Sequence, residues 1–336
     1  MLIRAKAPLR ISFAGGGTDV PPYPERRGGC VISSTIDRYA YVTIVPKRIK
    51  HVSAHSLDYG IKTKFHLGKR MVYDGELDLI KAALKVMGIK GGCDLFIHSD
   101  APPGSGLGSS SAMVVAVVAA LAKWKKMSLT PYEIAEAAIK IERQELKLAG
   151  GLQDQYAATF GGFNFIEFNK DTTVVNPLRI DPMMLNEFNY RFLLCFTGKT
   201  RLSANIVERQ ANSFSRGDDD VVDALEGLKL MAIQMKNHLL KGNFEGFGRL
   251  LDDAWVYKKK LDKQITTSNI DKLYEAAKKK GAIGGKILGA GGGGYLLLFC
   301  DFRKKHKVAD ALQSLGGEIM PFSFTIPGVQ TWEAPK

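Results

Sequence analysis

The chain has 336 residues, 45% of them hydrophobic and 24% charged, and a formal net charge of +13 at pH 7. That length admits two domains around a large buried core, and such ordinary apolar and charged fractions exclude a disordered or fibrous polypeptide. The longest apolar run, Ala112 to Ala122, falls far short of the roughly 20 residues a membrane span needs, so neither a transmembrane helix nor a membrane partner is expected.

In chain order, Leu2 to Phe13 partly alternates apolar with polar residues and predicts a strand that delivers Gly15-Gly16-Gly17 to a loop, with Asp19 just past the turn. Val31 to Val45 reads as β structure, with weaker strand signals over His51 to Ala54 and Ile61 to Leu67. A helix is predicted from Leu77 to Met87. The short strand Cys93 to His98 then enters the loop Pro102-Pro103-Gly104-Ser105-Gly106-Leu107-Gly108-Ser109-Ser110-Ser111-Ala112. Behind it come a helix to Lys126 and another opened by Thr130-Pro131 and Glu133, with a capping residue, a first-turn proline and a first-turn acid. That helix is expected to reach about Leu148 and to carry Glu142. A new helical start at Leu152-Gln153-Asp154-Gln155 stops at Phe160-Gly161-Gly162, and strands over Phe163 to Phe168 and Thr172 to Val175 close the first half. Pro/Asp punctuation from Pro177 to Pro182 divides the chain into domains 1–178 and 179–336. The second half predicts a strand at Phe192 to Phe196 and helices to about Lys280. Strand-like Ile287-Leu288 and Tyr295 to Phe299 then flank a glycine run, before a helix, Lys304 to Leu315, and a strand, Ile319 to Phe324. The pattern is α+β.

The central loop carries the first chemical signal. Glycines at 104, 106 and 108 can adopt the positive φ angles that turn successive N–H groups into an anion-binding concavity, for which phosphate is the natural guest. The serines stand where a helix begins, able to cap its free N–H groups at the positive end of the dipole or to hold magnesium. No Walker A sequence occurs in the chain. Gly289-x-Gly291-x-x-Gly294 matches the dinucleotide fingerprint literally, but a strand follows it where a helix should receive the pyrophosphate, so a Rossmann reading is rejected. Alone, the central loop reads as a flexible connector. Its company argues otherwise.

That company is Ala7-Pro8-Leu9-Arg10-Ile11-Ser12-Phe13-Ala14-Gly15-Gly16-Gly17-Thr18-Asp19 and Lys286-Ile287-Leu288-Gly289-Ala290-Gly291-Gly292-Gly293-Gly294. Together with the central loop they resemble the three motifs of the GHMP small-molecule kinases, in that family's order and across nearly the whole chain. Val20-Pro21-Pro22-Tyr23 and Gly28-Gly29-Cys30-Val31-Ile32-Ser33 extend the resemblance toward members that phosphorylate D-glycero-D-manno-heptose 7-phosphate. The resemblance implies a two-domain fold, with an N-terminal βαβ-containing nucleotide domain and a C-terminal ferredoxin-like α+β domain. It implies ATP and Mg2+ as cofactors and a sugar phosphate as acceptor, converted to a 1,7-bisphosphate for surface glycan synthesis.

Site roles follow from the same resemblance. Pro103, Gly104, Ser105, Gly106, Leu107, Gly108, Ser109, Ser110 and Ser111 would bind ATP. Ser110 would ligate magnesium, with Ser109 and Ser111 as neighbours competing for the role, and Glu142 would be the second ligand, a hard oxygen donor suited to that ion. A lone helical Glu is otherwise solvated surface. Asp154, in Gly151-Leu152-Gln153-Asp154-Gln155, would be the general base or would orient the acceptor hydroxyl; the bland alternative is a helix cap. Arg10 would offset charge in the transition state. Asp19, Gly16, Gly17, Gly291 and Gly292 would contact substrate. Gly15-Gly16-Gly17 stands where galactokinases have Gly-Glu-His, which empties part of the sugar pocket and disfavours galactose. Arg201, with Arg26, Arg27 and Lys199, is the candidate to hold a second phosphate.

The positive charge is spread, +8 over residues 1–180 and +5 over the rest. There is no basic tail and no aromatic ribonucleoprotein motif, so no nucleic-acid partner is expected. Lys258-Lys259-Lys260 and similar runs read as solvated helix faces. Cys30, Cys93, Cys195 and Cys300 are widely separated and read as reduced thiols. His51 and His55 lie in a strand-like stretch and form no metal constellation. The N-terminus lacks a signal-like apolar segment, so a cytoplasmic location is expected. A homodimer is left open. Two alternatives stand beside the sugar phosphate kinase: a kinase of an unphosphorylated sugar such as fucose or galactose, and a non-catalytic sugar sensor on the same scaffold.

Overall fold

The computed structural model describes residues 1–67, 71–200 and 204–335. Its frame is a long antiparallel ladder between β1 (Leu2–Ala14) and β2 (Gly29–Pro46), with register shifts at Pro8/Leu9 and Ser12/Ala14 and the short helix α1 (Tyr23–Arg27) in the connection. Beyond β2 lie β3 (His51–Ser56), β4 (Ile61–His66), helix α2 (Asp78–Val86) and β5 (Cys93–Ser99). β5 inserts between β2 and β3, antiparallel to one and parallel to the other, so the chain between β3 and β5, which includes α2, forms a βαβ-type crossover. β6 (Phe163–Phe168) and β7 (Thr173–Pro177) extend the start of β2 as a hairpin.

Helix α3 (Ser109–Lys125) packs on β1 and β2. Every residue from Ser111 to Ala122 is buried, as an all-apolar helix of small side chains in the centre of a domain requires. α4 (Pro131–Ile139) starts with the expected capping box: Glu133 N donates to Thr130 Oγ1 at 3.3 Å and Thr130 N to Glu133 Oε2 at 2.7 Å, a device worth about 1 kcal/mol. The helix does not continue to Leu148. It passes into a π-helical turn, Lys140–Glu145, and α5 (Gln153–Phe160) follows.

The remaining elements are α6 (Pro182–Arg191), β8 (Phe192–Phe196), α7 (Ala204–Arg216), α8 (Asp219–Leu240), α9 (Phe244–Lys260), α10 (Ser268–Lys280), β9 (Ala282–Ile287), β10 (Tyr295–Cys300), α11 (Lys305–Ser314), β11 (Glu318–Ile319), β12 (Phe324–Thr325) and β13 (Gln330–Ala334). The second sheet has the order β11-β8-β10-β9, antiparallel throughout, which with its helices is the ferredoxin-like arrangement. α6 was not anticipated, although Asp181 caps it and Pro182 opens it. The strand expected over Ile319 to Phe324 is shared out: Ile319 pairs in the second sheet, Phe324 in the first. β13 returns to pair with β1, so residues on both sides of 178/179 build the first sheet. The two sheets share one core. Phe13 of β1 sits 5.3 Å from Phe247 of α9 and 6.0 Å from Phe188 of α6, ring centre to ring centre.

Candidate active site

Arg10 gathers the site. Its backbone N donates to Leu107 O at 3.0 Å, tying β1 to the central glycine loop. Its guanidinium forks onto Asp154, Nε to Oδ1 at 2.7 Å and Nη2 to Oδ2 at 2.8 Å, while Nη1 donates to Gly106 O. Arg10 is only 5% exposed, so this bidentate pair works in a partly dry setting where charge-assisted bonds are strong. Asp154 lies in the first turn of α5, whose cap, Leu152, makes no side-chain capping bond. Asp154 is therefore not a helix cap; its carboxylate faces Arg10.

The central loop has the backbone its glycines predict. Gly104, Gly106 and Gly108 have φ of 74°, 85° and 70°. The serines, by contrast, do not cap. Gly108 occupies the N-cap position of α3 with no side-chain bond, and Ser109 Oγ turns back to Pro102 O at 3.2 Å. That leaves the first N–H groups of a 17-residue helix without side-chain partners, an anion-binding end. Leu107 is buried in the core, and Ser105 gives its carbonyl to Tyr295 N, so neither lines the cavity described below.

The third motif buttresses the second from behind. A Cβ on Gly289 would come within 2.6 Å of Gly106 Cα, and one on Gly294 within 2.2 Å of Ser105 O. Glycine is required at both by close approach. Gly291 lines the cavity, whereas Gly292 spends its N–H on Ile265 O at 2.8 Å and stands outside the wall.

Glu142, on the π-helical turn, is 2% exposed and accepts from Ser111 Oγ at 3.1 Å and from Gln155 Nε2. Gln155 also donates to Ser111 Oγ at 3.2 Å. The π turn carries six residues on one wide coil, a local distortion that recurs at functional sites. Burial pushes the Glu142 carboxyl above its ordinary range. The serine that touches it is Ser111, while Ser110 is exposed and lines the same cavity. Among the described residues no group of three or more His, Cys, Asp or Glu is arranged to hold a metal. Glu142 and the serine hydroxyls do fit an ion that binds through one carboxylate and keeps its other positions for water and phosphate oxygens.

Asp19 is 1% exposed and engaged on both oxygens. Gly17 N reaches Oδ1 at 3.0 Å, and Gln153 N and Nε2 both reach Oδ2 at 3.1 Å. Burial also raises this carboxyl. Gly151 must be glycine, since a Cβ there would lie 1.9 Å from Asp19 Oδ2.

These groups surround a cavity of about 440 Å³ that reaches from the central loop to Gly16, Gly17 and Asp19 and, on the second-domain side, to Gly289 and Gly291. Two lysines that the sequence reading assigned no role also line it. Lys258, read as part of a solvated run, is 6% exposed and donates to Ile287 O at 3.0 Å and to Gly289 O. Lys286 is 3% exposed and donates to Ser12 O at 2.9 Å and Phe13 O at 3.0 Å, linking β9 to β1. Burial drives the Lys258 ammonium well below its usual range and that of Lys286 down to about 7, with the Arg10 charge adding to both. The clue to Lys258 was its place on the stripe Leu251, Ala254, Trp255, which faces the core.

Of the candidates for a second phosphate site, Arg201 lies outside the described residues. Lys199 is exposed and supplies its carbonyl to Gly294 N at 2.7 Å. Arg26 and Arg27 face a separate, open hollow beside Arg216 and Phe214, away from the main cavity. All four cysteines are buried free thiols, and no helix of the described residues is long and apolar enough to cross a membrane.

Residues 78–162 match the profile of the GHMP kinases N terminal domain and residues 235–318 that of the GHMP kinases C terminal region. The chain is 37% identical, over 98% of its length and 98% of the relative's, to the D-glycero-alpha-D-manno-heptose 7-phosphate kinase of Campylobacter jejuni. A crystal structure described as a D-glycero-D-manno-heptose 1-phosphate kinase from Bacteroides thetaiotaomicron superposes with a TM-score of 0.84 at 33% identity, covering 99% of this chain and all of that one. The galactokinase of Lactococcus lactis, at 19% identity and a TM-score of 0.79 over 98% of this chain and 95% of its own, shares the fold.

Proposed function

The chain belongs to the GHMP kinase family and is a sugar kinase, and we propose that it transfers the γ-phosphoryl group of ATP to the anomeric hydroxyl of D-glycero-D-manno-heptose 7-phosphate. The observation that carries the reaction is the Arg10–Asp154 fork, set beside the uncapped start of α3 on a cavity that also admits Gly16 and Asp19. The near full-length similarity to the Campylobacter jejuni enzyme supports the acceptor.

In this reading the phosphates of ATP rest on the free N–H groups at Ser109 to Ser111 and on the backbone of Gly104, Gly106 and Gly108, which line the cavity. Arg10 occupies one direction on each Asp154 oxygen and leaves the others free, because a carboxylate accepts at about four lone-pair positions. The acceptor hydroxyl donates to Asp154 there. As its oxygen bonds to the γ-phosphorus, the bond to the β,γ-bridging oxygen breaks, ADP leaves, and the hydroxyl proton passes to the carboxylate. Whether Asp154 takes the proton early or chiefly orients the hydroxyl, its position is fixed by Arg10. Ser110 and Glu142 would hold Mg2+, with Ser111 and Gln155 orienting Glu142. Bound there, the ion would neutralise charge on the β- and γ-phosphate oxygens.

A second reading places the sugar's existing phosphate at the anomeric carbon, after the description of the Bacteroides thetaiotaomicron structure. ADP release measured over heptose 7-phosphate, heptose 1-phosphate, free heptose, fucose and galactose separates the readings. The proposal expects heptose 7-phosphate to give the highest kcat/KM. A preference for heptose 1-phosphate or for a free sugar would overturn it.

A further inference from the structure

Lys258 and Lys286 take no part in the reaction just described, yet both are buried and both line the cavity. Lys258 donates to Ile287 O and Gly289 O, and Lys286 to Ser12 O and Phe13 O, all of them neutral main-chain acceptors. Two carbonyls match the two N–H groups of a neutral amine. Protonation adds a third donor, and among the described residues neither lysine has a third acceptor or an ion-pair partner to receive it. The charges that bear on Lys258 are those of Lys286 and Arg10, both positive, while Lys286 feels Arg10 and, less strongly, Asp19. A buried ammonium in such surroundings calls for an anion or gives up its proton.

Their attachments say which anion. Ser12, held by Lys286, is two residues beyond Arg10 on β1. Gly289, held by Lys258, packs so closely on Gly106 that a Cβ would lie 2.6 Å from its Cα, and Gly106 O accepts from Arg10 Nη1. Both amines are thus tied to immediate neighbours of Arg10, which grips the carboxylate where the acceptor oxygen is to be phosphorylated. We propose that Lys258 and Lys286 are two further catalytic residues, each giving its third N–H to an oxygen of the γ-phosphoryl group as that group passes from ATP to the acceptor. The inference rests on the kinase reading and adds to Arg10 the positive charge that a phosphoryl group in transit needs. No proton leaves either lysine during transfer: the hydroxyl proton still goes to Asp154, and the bonds that form and break are those already given. Binding, however, changes the lysines. Burial holds Lys286 at about 7 in the free protein, so at pH 8 it is mostly neutral, and Lys258 is lowered as well. A phosphate anion alongside favours the charged form, so protons should enter the site with the γ-phosphate.

Calorimetry on the full-length protein tests this without turnover. A non-hydrolysable ATP analogue is titrated in at pH 8 with saturating Mg2+, in two buffers of different ionisation heat, and the difference gives the protons taken up. Net uptake is expected with the ATP analogue, little or none with ADP, which lacks the γ-phosphate, and a smaller uptake with the analogue in Lys286→Met. In steady-state kinetics Lys258→Met and Lys286→Met should each lower kcat about 10²-fold. Where a variant fails to fold, the wild-type comparison of the two nucleotides still decides. No uptake with either nucleotide, or equal uptake with both, would overturn the assignment, and so would unchanged kcat in two folded variants. Uptake on adding heptose 7-phosphate alone, and none with the ATP analogue, would overturn it by moving the amines to the phosphate already on the acceptor. The nucleotide titrations contain no acceptor, so a wrong identity for the sugar leaves their outcome unchanged and the two readings fail separately.

Discussion

Arg10 decides what Asp154 can do. A carboxylate gripped at both oxygens cannot swing away from the cavity, and the same grip makes it sensitive to isosteric change. In Asp154→Asn one oxygen becomes an NH2 that faces a guanidinium donor, so the fork is broken with almost no change in volume. Turnover should fall by about 10²- to 10⁴-fold while nucleotide still binds, and stability should drop by about 1–3 kcal/mol. Steady-state kinetics, nucleotide calorimetry and thermal melts check the three parts; near wild-type turnover would remove Asp154 from the chemistry. Lys286 offers a test that does not involve activity. The unfolded chain keeps this proton up to about pH 10.5 and the folded one only to about 7. Between those values the unfolded state binds more protons, so stability rises with pH, by at most about 1.4 kcal/mol per unit, and the gain is lost as pH falls back through 7. Lys286→Met should remove that slope, and a melting-temperature profile parallel to wild type from pH 7 to 10 would contradict it. Arg10 and Asp154 were legible in the sequence because they sit in its motifs, whereas Glu142, a lone helical glutamate, was singled out by the family resemblance alone. Lys286 was not legible, because a lysine facing a cavity and one facing water look alike until the neighbours that dry it are known, and Lys258 gave only the faint signal of its place on an apolar helix stripe.

At the level of elements, the three glycine loops behave as one assembly. Gly106 has φ of 85°, and a Cβ there would meet Leu288 O at 2.6 Å. Gly106→Ala should therefore cost at least about 1–2 kcal/mol from the left-handed backbone alone. It should also weaken nucleotide binding, because relieving the contact moves the loop off the third motif. An unchanged melting temperature and unchanged nucleotide affinity would show that the loops are independent. The two serines should part company as well. Ser110→Ala should raise the magnesium concentration needed for activity by about tenfold or more, whereas Ser111→Ala should act less, since Gln155 still holds Glu142. A larger effect in Ser111→Ala would move the ligand role to Ser111. Strong alternation and clear caps made most strands and helices readable: β1, β2, α3 and the Thr130 capping box lie close to where the sequence puts them. The π turn was not readable, because Lys140 to Glu145 continues an ordinary helical pattern. It is the geometry that buries Glu142 against Ser111, not the composition, that departs from the α-helix.

For the whole molecule, the cavity depends on contacts far apart in sequence: β1 with β9, α5 with Asp19, and α9 with the loop after β9. Local pattern reading does not reach such pairings. It missed that β12 and β13 leave the second domain to rejoin β2 and β1, since Gln330–Ala334 is a short, exposed strand without an apolar face. The division at 178/179 still falls between the last strand of one hairpin and the helix that leads into the second sheet. Two domains closing on one site explain why residues from all three motifs meet there, and the central claim is that they meet to phosphorylate an anomeric oxygen. The most direct measurement is phosphorus NMR of the product formed from ATP, Mg2+ and D-glycero-D-manno-heptose 7-phosphate. A new sugar phosphate resonance coupled to the anomeric proton, with the original phosphate retained, is the predicted result. A second phosphate on any other carbon, or no sugar bisphosphate at all, would contradict it.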